Sequence, residues 1–190
     1  MLDRDPLDPR LTFYLEHRDQ IDEWLKLPEL ERQAADVFFR SLADPLEEVA
    51  SELPGSPELW RRYESPWKKL LLHMPGWKYD QPEEPIVGVA FEWNANKHGF
   101  GFAYIGLWID MRRSELESLR GQLIDALSLE GFKRTPYWIG WKYVPPSQPR
   151  YWEDMDGFAQ ETIRALTGLW KDTWESIDRT FKKWSDGGAG

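Results

Sequence analysis

Residues 86–109 read IVGVAFEWNANKHGFGFAYIGLWI, and this stretch carries the strongest β-strand pattern of the chain. From Ile86 to Trp93, large apolar residues alternate with small ones. In Phe100 to Ile109, aromatic residues on one face alternate with mainly aliphatic residues on the other. The polar segment 94–99 between them is rich in Asn and Gly, which tolerate the backbone angles of tight turns. The stretch therefore predicts an antiparallel hairpin. Because both of its faces carry apolar or small residues, we expect the sheet to be covered on both sides.

Two further strands and one helix are predicted around this hairpin. Leu70–Leu72 precedes a Pro-Gly turn, and Lys133–Val144 returns to an alternating pattern with many aromatic residues. Between the hairpin and the last strand, Ser114 and Glu117 have the spacing of a capping box. We therefore expect a helix over Ser114–Leu129, inserted into an antiparallel sheet of about four strands.

Apolar residues at helical spacing flank this central block on both sides. The predicted N-terminal helices are Thr12–Leu27, Leu30–Leu42 and Asp44–Leu53. Near the C-terminus, one apolar stripe runs from Phe158 to Trp184, which predicts a helix of about 30 residues. The predicted fold is therefore of the α+β class, with acidic N-terminal helices, the antiparallel sheet and a long C-terminal helix.

Length and composition limit the organisation of the chain and its class. With 190 residues, we expect a single domain over 1–190, with residues 1–10 frayed and 186–190 forming a flexible tail. No apolar run approaches the roughly 18 residues that a membrane-spanning helix needs. The chain has no cysteine, which excludes disulfides, a thiol nucleophile and a Cys-ligated metal. The N-terminal residues lack the pattern of a signal peptide, so we expect a cytoplasmic protein.

Negative charge is concentrated in the two flanking segments. The formal net charge is −9, with −8 in residues 1–64, +2 in residues 65–150 and −3 in residues 151–190. A protein that binds double-stranded nucleic acid usually presents a continuous basic face, which this distribution does not favour. Binding to double-stranded nucleic acid is therefore not expected.

Established catalytic motifs are absent from the sequence. The three histidines occur outside any metal-binding spacing, and there is neither a phosphate-binding P-loop nor a GxSxG nucleophile turn. No cofactor and no metal are predicted. A metal-dependent nuclease site would need an acidic residue followed by an acidic-x-Lys pattern on the next strand. Asp80 and Glu92 are the candidate acids, but Asn94 stands where the lysine is required.

Tryptophan is the most unusual component, with 12 residues in the chain. Buried Trp residues usually belong to the core, whereas exposed ones often anchor protein–protein contacts. The end of the C-terminal stripe is the candidate partner interface, formed by Trp170, Trp174, Ile177, Phe181 and Trp184. Two alternatives remain open for the tryptophans: the stripe folds back as core, or rings near the lysines of the middle block stack on single-stranded nucleic acid.

Two functional hypotheses follow from these observations. The preferred one is a non-enzymatic intracellular interaction protein, such as an inhibitor, an immunity or antitoxin-like partner, or a subunit of an assembly. Its partner would be another protein or a second copy, bound through the C-terminal helix. The alternative is a metal-dependent nuclease-like or nucleic-acid-binding protein, or a catalytically inactive form of one, which would use Asp80 and Glu92.

Overall fold

Six antiparallel strands form one sheet in the part of the chain that the structure describes. The computed structural model describes residues 8–64, 66–79, 83–94, 103–144 and 153–187. The strands are β1 (Glu58–Arg62), β2 (Trp67–His73), β3 (Val87–Asn94), β4 (Ala103–Ile109), β5 (Lys133–Thr135) and β6 (Trp138–Tyr143). The helices are α1 (Pro9–Glu16), α2 (Arg18–Trp24), α3 (Leu27–Ser41), α4 (Ala43–Ala50), α5 (Leu116–Ala126) and α6 (Met155–Gly187). The α+β class predicted from the sequence is confirmed.

The predicted antiparallel pair lies at the centre of the sheet, whose strand order is β1-β2-β3-β4-β6-β5. Strands β3 and β4 are antiparallel, with Phe91 opposite Ile105 and Val89 opposite Leu107. Nearly all of the predicted turn lies outside the described residues. Strands β3 and β4 each have a strand on both sides, so the pair forms the middle of the sheet.

The sheet has six strands instead of the predicted four. The segment predicted as one strand over Lys133–Val144 is divided by a turn at residues 136–137 into β5 and β6. Proline at position 136 has no N–H for a ladder hydrogen bond, which explains the interruption. Strand β1 was missed because its sequence, ELWRR, has only two adjacent apolar residues and therefore no readable alternation.

Helices cover one face of the sheet. The main core joins residues of α3, α4, α5 and α6 to the large apolar side chains of β2, β3 and β4. Phe39 of α3 contacts Phe91 edge-to-face, with ring centroids 5.1 Å apart. A second, smaller cluster on the other face contains strand residues, and no helix residue belongs to it. The expectation of a sheet covered on both sides is therefore wrong for the described residues.

Local structure departs from the sequence prediction at three helix starts. The helix expected over Thr12–Leu27 is interrupted at His17, which separates α1 from α2. Helix α5 begins at Leu116 without a side-chain cap, so the predicted capping box does not form. Asp44 lies inside the first turn of α4 and is not its cap. Helices α2, α4 and α5 thus all begin without a side-chain cap.

The C-terminal stripe packs inside this chain. Trp170 and Ile177 are fully buried, and Phe181 is only 7% exposed. Trp174 and Trp184 are half-buried and pack against the same core. The Trp170 indole N–H donates to the Pro54 carbonyl at 2.9 Å. The five residues predicted as a partner interface are therefore corrected to core and core-edge positions, because α6 lies along the helix-covered face and does not project beyond it.

Deleting residues 173–190 should unfold the protein. The deletion removes Ile177 and Phe181 from the core, and losing such side chains costs about 2–5 kcal/mol each, against a total stability of about 5–15 kcal/mol. Urea unfolding followed by circular dichroism measures the effect, and truncation after Gly187 is the control. A chain lacking 173–190 that kept the wild-type midpoint would contradict the assignment of this segment to the core.

Candidate functional site

A groove lies on the face of the sheet that the helices leave uncovered. One row of directly paired residues crosses this face in the order Trp60, Leu71, Ala90, Gly106 and Trp141. The row has small residues at its centre and an indole towards each end. Leu71 and Ala90 are fully buried beneath the tryptophans of this face, and a depression lies among the rings above them. We call this depression the open-face groove.

Aromatic side chains form most of the groove's walls. Its volume is about 590 Å³. The aromatic lining residues are Trp60, Trp67, Tyr104, Trp108, Tyr137, Trp138 and Trp141. Several of these rings contact one another. The Tyr104 and Trp141 rings meet edge-to-face with their centres 5.0 Å apart, and the centres of the Trp67 and Tyr104 rings are 5.9 Å apart. Such contacts hold the walls in place before any ligand arrives.

Glycine at position 106 is required by the close approach of two strands. A Cβ atom there would collide with the backbone carbonyl oxygen of Gly140 on β6. Any larger residue would push β4 and β6 apart, and with them the wall formed by Trp138 and Trp141. The glycine therefore maintains the position of one wall of the groove.

A buried ion pair lies in the lining of the groove. Lys69 Nζ is 3.0 Å from Glu92 Oε2, and the two side chains are 6% and 11% exposed. The same ammonium lies 3.7 Å from the centre of the Trp108 ring, a distance suited to a cation–π contact. Burial lowers the pKa of Lys69 to about 8, although the Glu92 carboxylate opposes this shift. The pair comes from directly opposite positions on β2 and β3, so the sheet register places it.

A second charged group closes the groove at its β4 end. Arg112 Nε donates to Asp110 Oδ2 at 2.8 Å, and the Arg112 guanidinium also pairs with Glu84. The Asp110 side chain is 3% exposed, so its charge is compensated inside the protein. Hydrogen bonds to Asp110 and Glu84 raise the pKa of Arg112 above its usual range. This group fixes the segment after β4 and presents few free polar atoms.

The formal charges that line the groove cancel. Arg62, Lys69 and Arg112 supply the positive charges. Glu84, Glu92 and Asp110 supply the negative charges. Two of the cations are held in the ion pairs described above, while no ion pair of Arg62 occurs among the described residues. A neutral groove with aromatic walls suits a ligand with a planar, apolar body better than it suits a polyanion.

The predicted site residues do not assemble into one site. Glu92 lies in the groove, where Lys69 neutralises it, and Asp80 lies outside the described residues. The stripe from Trp170 to Trp184 belongs to α6, on the opposite face of the sheet. No group of three or more potential metal ligands occurs among the described residues. A nuclease-like metal centre therefore has no geometric support from the described part of the chain.

The lysines of the middle block are also dispersed. Lys68 Nζ pairs with Asp36 of α3 at 2.6 Å, on the helix-covered face. Lys78 lies near Glu58 and Glu83, and Lys142 lies over the Phe132 ring. Lys69 is paired with Glu92 in the groove, and Lys97 lies outside the described residues. Those that are described do not form a continuous basic track of the kind that follows a nucleic-acid backbone.

Sequence reasoning missed the groove as a site, although it contained part of the signal. The alternation in β3 places Gly88 and Ala90 on one face of that strand. The alternation in β4 places Tyr104 and Trp108 on one face of the neighbouring strand. What it did not reveal was that Trp60 and the β6 tryptophans stand at the borders of the same face. Those positions depend on β1, which has no periodic pattern, and on the irregular register between β4 and β6.

Comparisons with other proteins assign no role to the groove. No protein-family model, no curated protein and no solved structure matches this chain. Within the described residues, none of the helices is both long enough and apolar enough to cross a lipid bilayer.

The Lys69 environment predicts a specific pH dependence of stability. The pKa of Lys69 is about 8 in the folded chain and about 10.4 in an unfolded chain, so the unfolded state binds more protons between these values. This group's contribution to stability should therefore rise with pH from about 8 to 10.4, by on the order of 3 kcal/mol. Urea unfolding of wild type and Lys69→Met near pH 7 and pH 10 measures the change. If both proteins respond equally to pH, the assignment is wrong.

Proposed function

We propose that this protein is a non-catalytic binding protein and that the open-face groove receives a small ligand with a planar, largely apolar body. The observation that carries the proposal is the aromatic lining of the groove, to which β1 contributes Trp60 and β6, on the other side of the central strands, contributes Trp138 and Trp141. Indole faces contact flat ligands over large areas and lose little conformational entropy when they do so.

The volume of the groove and its fixed polar groups also support ligand binding. A volume of about 590 Å³ falls within the range of about 300–1,000 Å³ typical of small-molecule sites. Such sites combine apolar walls with a few fixed polar groups, and here the Lys69–Glu92 pair and Asp110 are held by the protein itself. The groove thus resembles a ligand site more than it resembles an incompletely packed core.

The ion pairs favour binding over hydrolytic chemistry. A carboxylate that activates water or holds a metal needs free oxygen atoms, but Glu92 is paired with Lys69 and Asp110 with Arg112. The nuclease-like alternative would also require Asp80, which lies outside the described residues. The non-enzymatic hypothesis from the sequence is therefore retained, with the groove as its site.

Binding of N-phenyl-1-naphthylamine tests the proposal, because this neutral aromatic probe emits more strongly in apolar surroundings. We expect saturable binding to the wild-type protein and an affinity about tenfold lower for Trp108→Ala, which removes one wall. The matched control is Trp24→Ala, since Trp24 is 61% exposed on α2 and does not line the groove. An unchanged affinity in Trp108→Ala, or a loss in Trp24→Ala instead, would contradict the proposal.

A second candidate function, protein–protein interaction, is favoured by the N-terminal helices. Neither α1 nor α2 contains a buried residue. Large apolar side chains are nevertheless exposed along α1 to α3, at Leu11, Phe13, Leu15, Trp24, Leu25, Leu27, Leu30 and Val37. So many exposed apolar side chains on neighbouring helices are typical of a surface that a partner covers. The partner surface proposed here therefore moves from α6 to α1–α3.

Charge indicates which kind of partner these helices would bind. Residues 8–41 contain 8 acidic and 5 basic residues, a net charge of −3. A second copy of the chain would bring two acidic surfaces together, which is unfavourable at an interface. We therefore propose a different protein, with an apolar groove and a basic rim, in keeping with an inhibitor-like or subunit role.

Reconstitution with a captured and then purified partner tests this second proposal. A double variant, Leu25→Glu with Leu30→Glu, should abolish binding, since both residues are more than half exposed and not needed for the core. Lys171→Glu on α6 is the control because it changes the net charge by the same amount and should leave binding intact. Binding that survives the double variant, or a wild-type dimer that the double variant dissociates, would overturn the proposal of a basic protein partner.

A further inference from the structure

The most unusual group in the groove is the Lys69 ammonium. Lysine is rarely buried unless it is paired, and here its Nζ has one carboxylate partner, Glu92, at 3.0 Å. The rings of Trp108 and Trp138 also lie close, with centres 3.7 and 5.8 Å from Nζ. Arg62, opposite Lys69 on β1, and Asp110 act on its charge in opposite directions. An ammonium can donate three hydrogen bonds, and the described residues accept one of them in the form of a salt bridge. The nitrogen thus lines a cavity with donor capacity left over.

The surroundings of this nitrogen match those of a reactive amine. A lysine in apolar surroundings more readily gives up its proton, and the neutral amine is the nucleophile that condenses with carbonyl compounds. Burial lowers the pKa of Lys69 to about 8, so roughly a tenth of the amine is neutral near pH 7. Glu92 is the adjacent base that can accept the proton.

We infer that Lys69 captures an aromatic or conjugated aldehyde in the open-face groove as an imine, with Glu92 as the counterion. This inference rests on the proposed function, since the groove must first admit the ligand. The walls of Trp108, Trp138 and Trp141 would contact the planar body, and the carbonyl carbon would lie against Nζ.

The proposed step balances without an oxidant or a reductant. Glu92 takes a proton from the Lys69 ammonium, and the nitrogen lone pair attacks the carbonyl carbon to form the C–N bond. The carbonyl oxygen takes up two protons, one returned by Glu92 and one released by the nitrogen, and leaves as water when the C=N bond forms. The product is a protonated imine, whose positive charge replaces that of the ammonium beside Glu92. The ion pair of the empty groove is therefore preserved in the adduct.

Other lysines near aromatic rings lack this combination of features. Lys133 lies 5.4 Å from the Trp141 ring centre but is exposed to solvent, and no carboxylate partner of Lys133 occurs among the described residues. Lys142 lies over Phe132, on the helix-covered side of β6. Lys133 is therefore the matched internal control, since it is aromatic-flanked but exposed.

Reductive trapping with 2-naphthaldehyde and cyanoborohydride, followed by peptide mapping, tests the inference on the wild-type protein. We expect the reduced adduct on Lys69 to exceed that on Lys133 at least tenfold, and Lys69→Arg to lose the preferred adduct. Because the sites are compared within one folded protein, the result does not depend on the stability of the variant. Equal labelling of Lys69 and Lys133, or no labelling of Lys69, would overturn the inference.

The non-reactive analogue 2-naphthalenemethanol separates this inference from the proposed function. If the alcohol displaces N-phenyl-1-naphthylamine from the groove but the aldehyde leaves Lys69 unmodified, imine capture is wrong and ligand binding stands. If neither compound displaces the probe and Lys69 is not labelled, both the inference and the proposed function fail. If the alcohol displaces the probe and Lys69 is labelled preferentially, both are supported.

Discussion

The structure depends on one constraint, the unequal size of the side chains on the two faces of the central β3–β4 pair. One face carries Val89, Phe91, Ile105 and Leu107, which are fully or almost fully buried. The other carries the small residues Gly88, Ala90 and Gly106, together with Tyr104 and Trp108, which line the groove. Large apolar side chains must be covered to leave water, whereas small ones leave little to gain from covering. The helices therefore pack on the first face, and the groove lies on the second.

The tryptophans are divided between these two faces. Trp77, Trp93 and Trp170 are buried on the helix side, and their N–H groups donate to Asp178, Asp36 and the Pro54 carbonyl respectively. The tryptophans of the groove instead surround a depression and an ion pair. The same residue type therefore closes a core on one face and forms the walls of a site on the other. What separates the two roles is whether a helix lies above the ring.

The charged groups of the groove neutralise one another, whereas the exposed N-terminal helices carry an excess of negative charge. The Lys69–Glu92 and Asp110–Arg112 pairs neutralise the groove, whereas the exposed helices α1 to α3 keep a net negative charge. These two surfaces therefore favour different ligands: a neutral planar molecule in the groove, and a basic protein on the helices. Since they involve separate residues, Trp108 and Leu25 variants can test them independently.

The sequence by itself determined the α+β class, the central antiparallel pair and the long C-terminal helix, because each depends on a periodicity that neighbouring residues display directly. The sequence also contains both candidate carboxylates, Asp80 and Glu92. It does not show that Glu92 is paired with Lys69, since that contact depends on the register of β2 against β3. Tertiary structure alone decided that the Trp170 stripe is core and that the exposed apolar surface belongs to α1–α3. Periodicity shows that a helix has an apolar face; it does not show what that face packs against. The groove could not be predicted from periodicity either, because its walls come from strands that are distant in sequence.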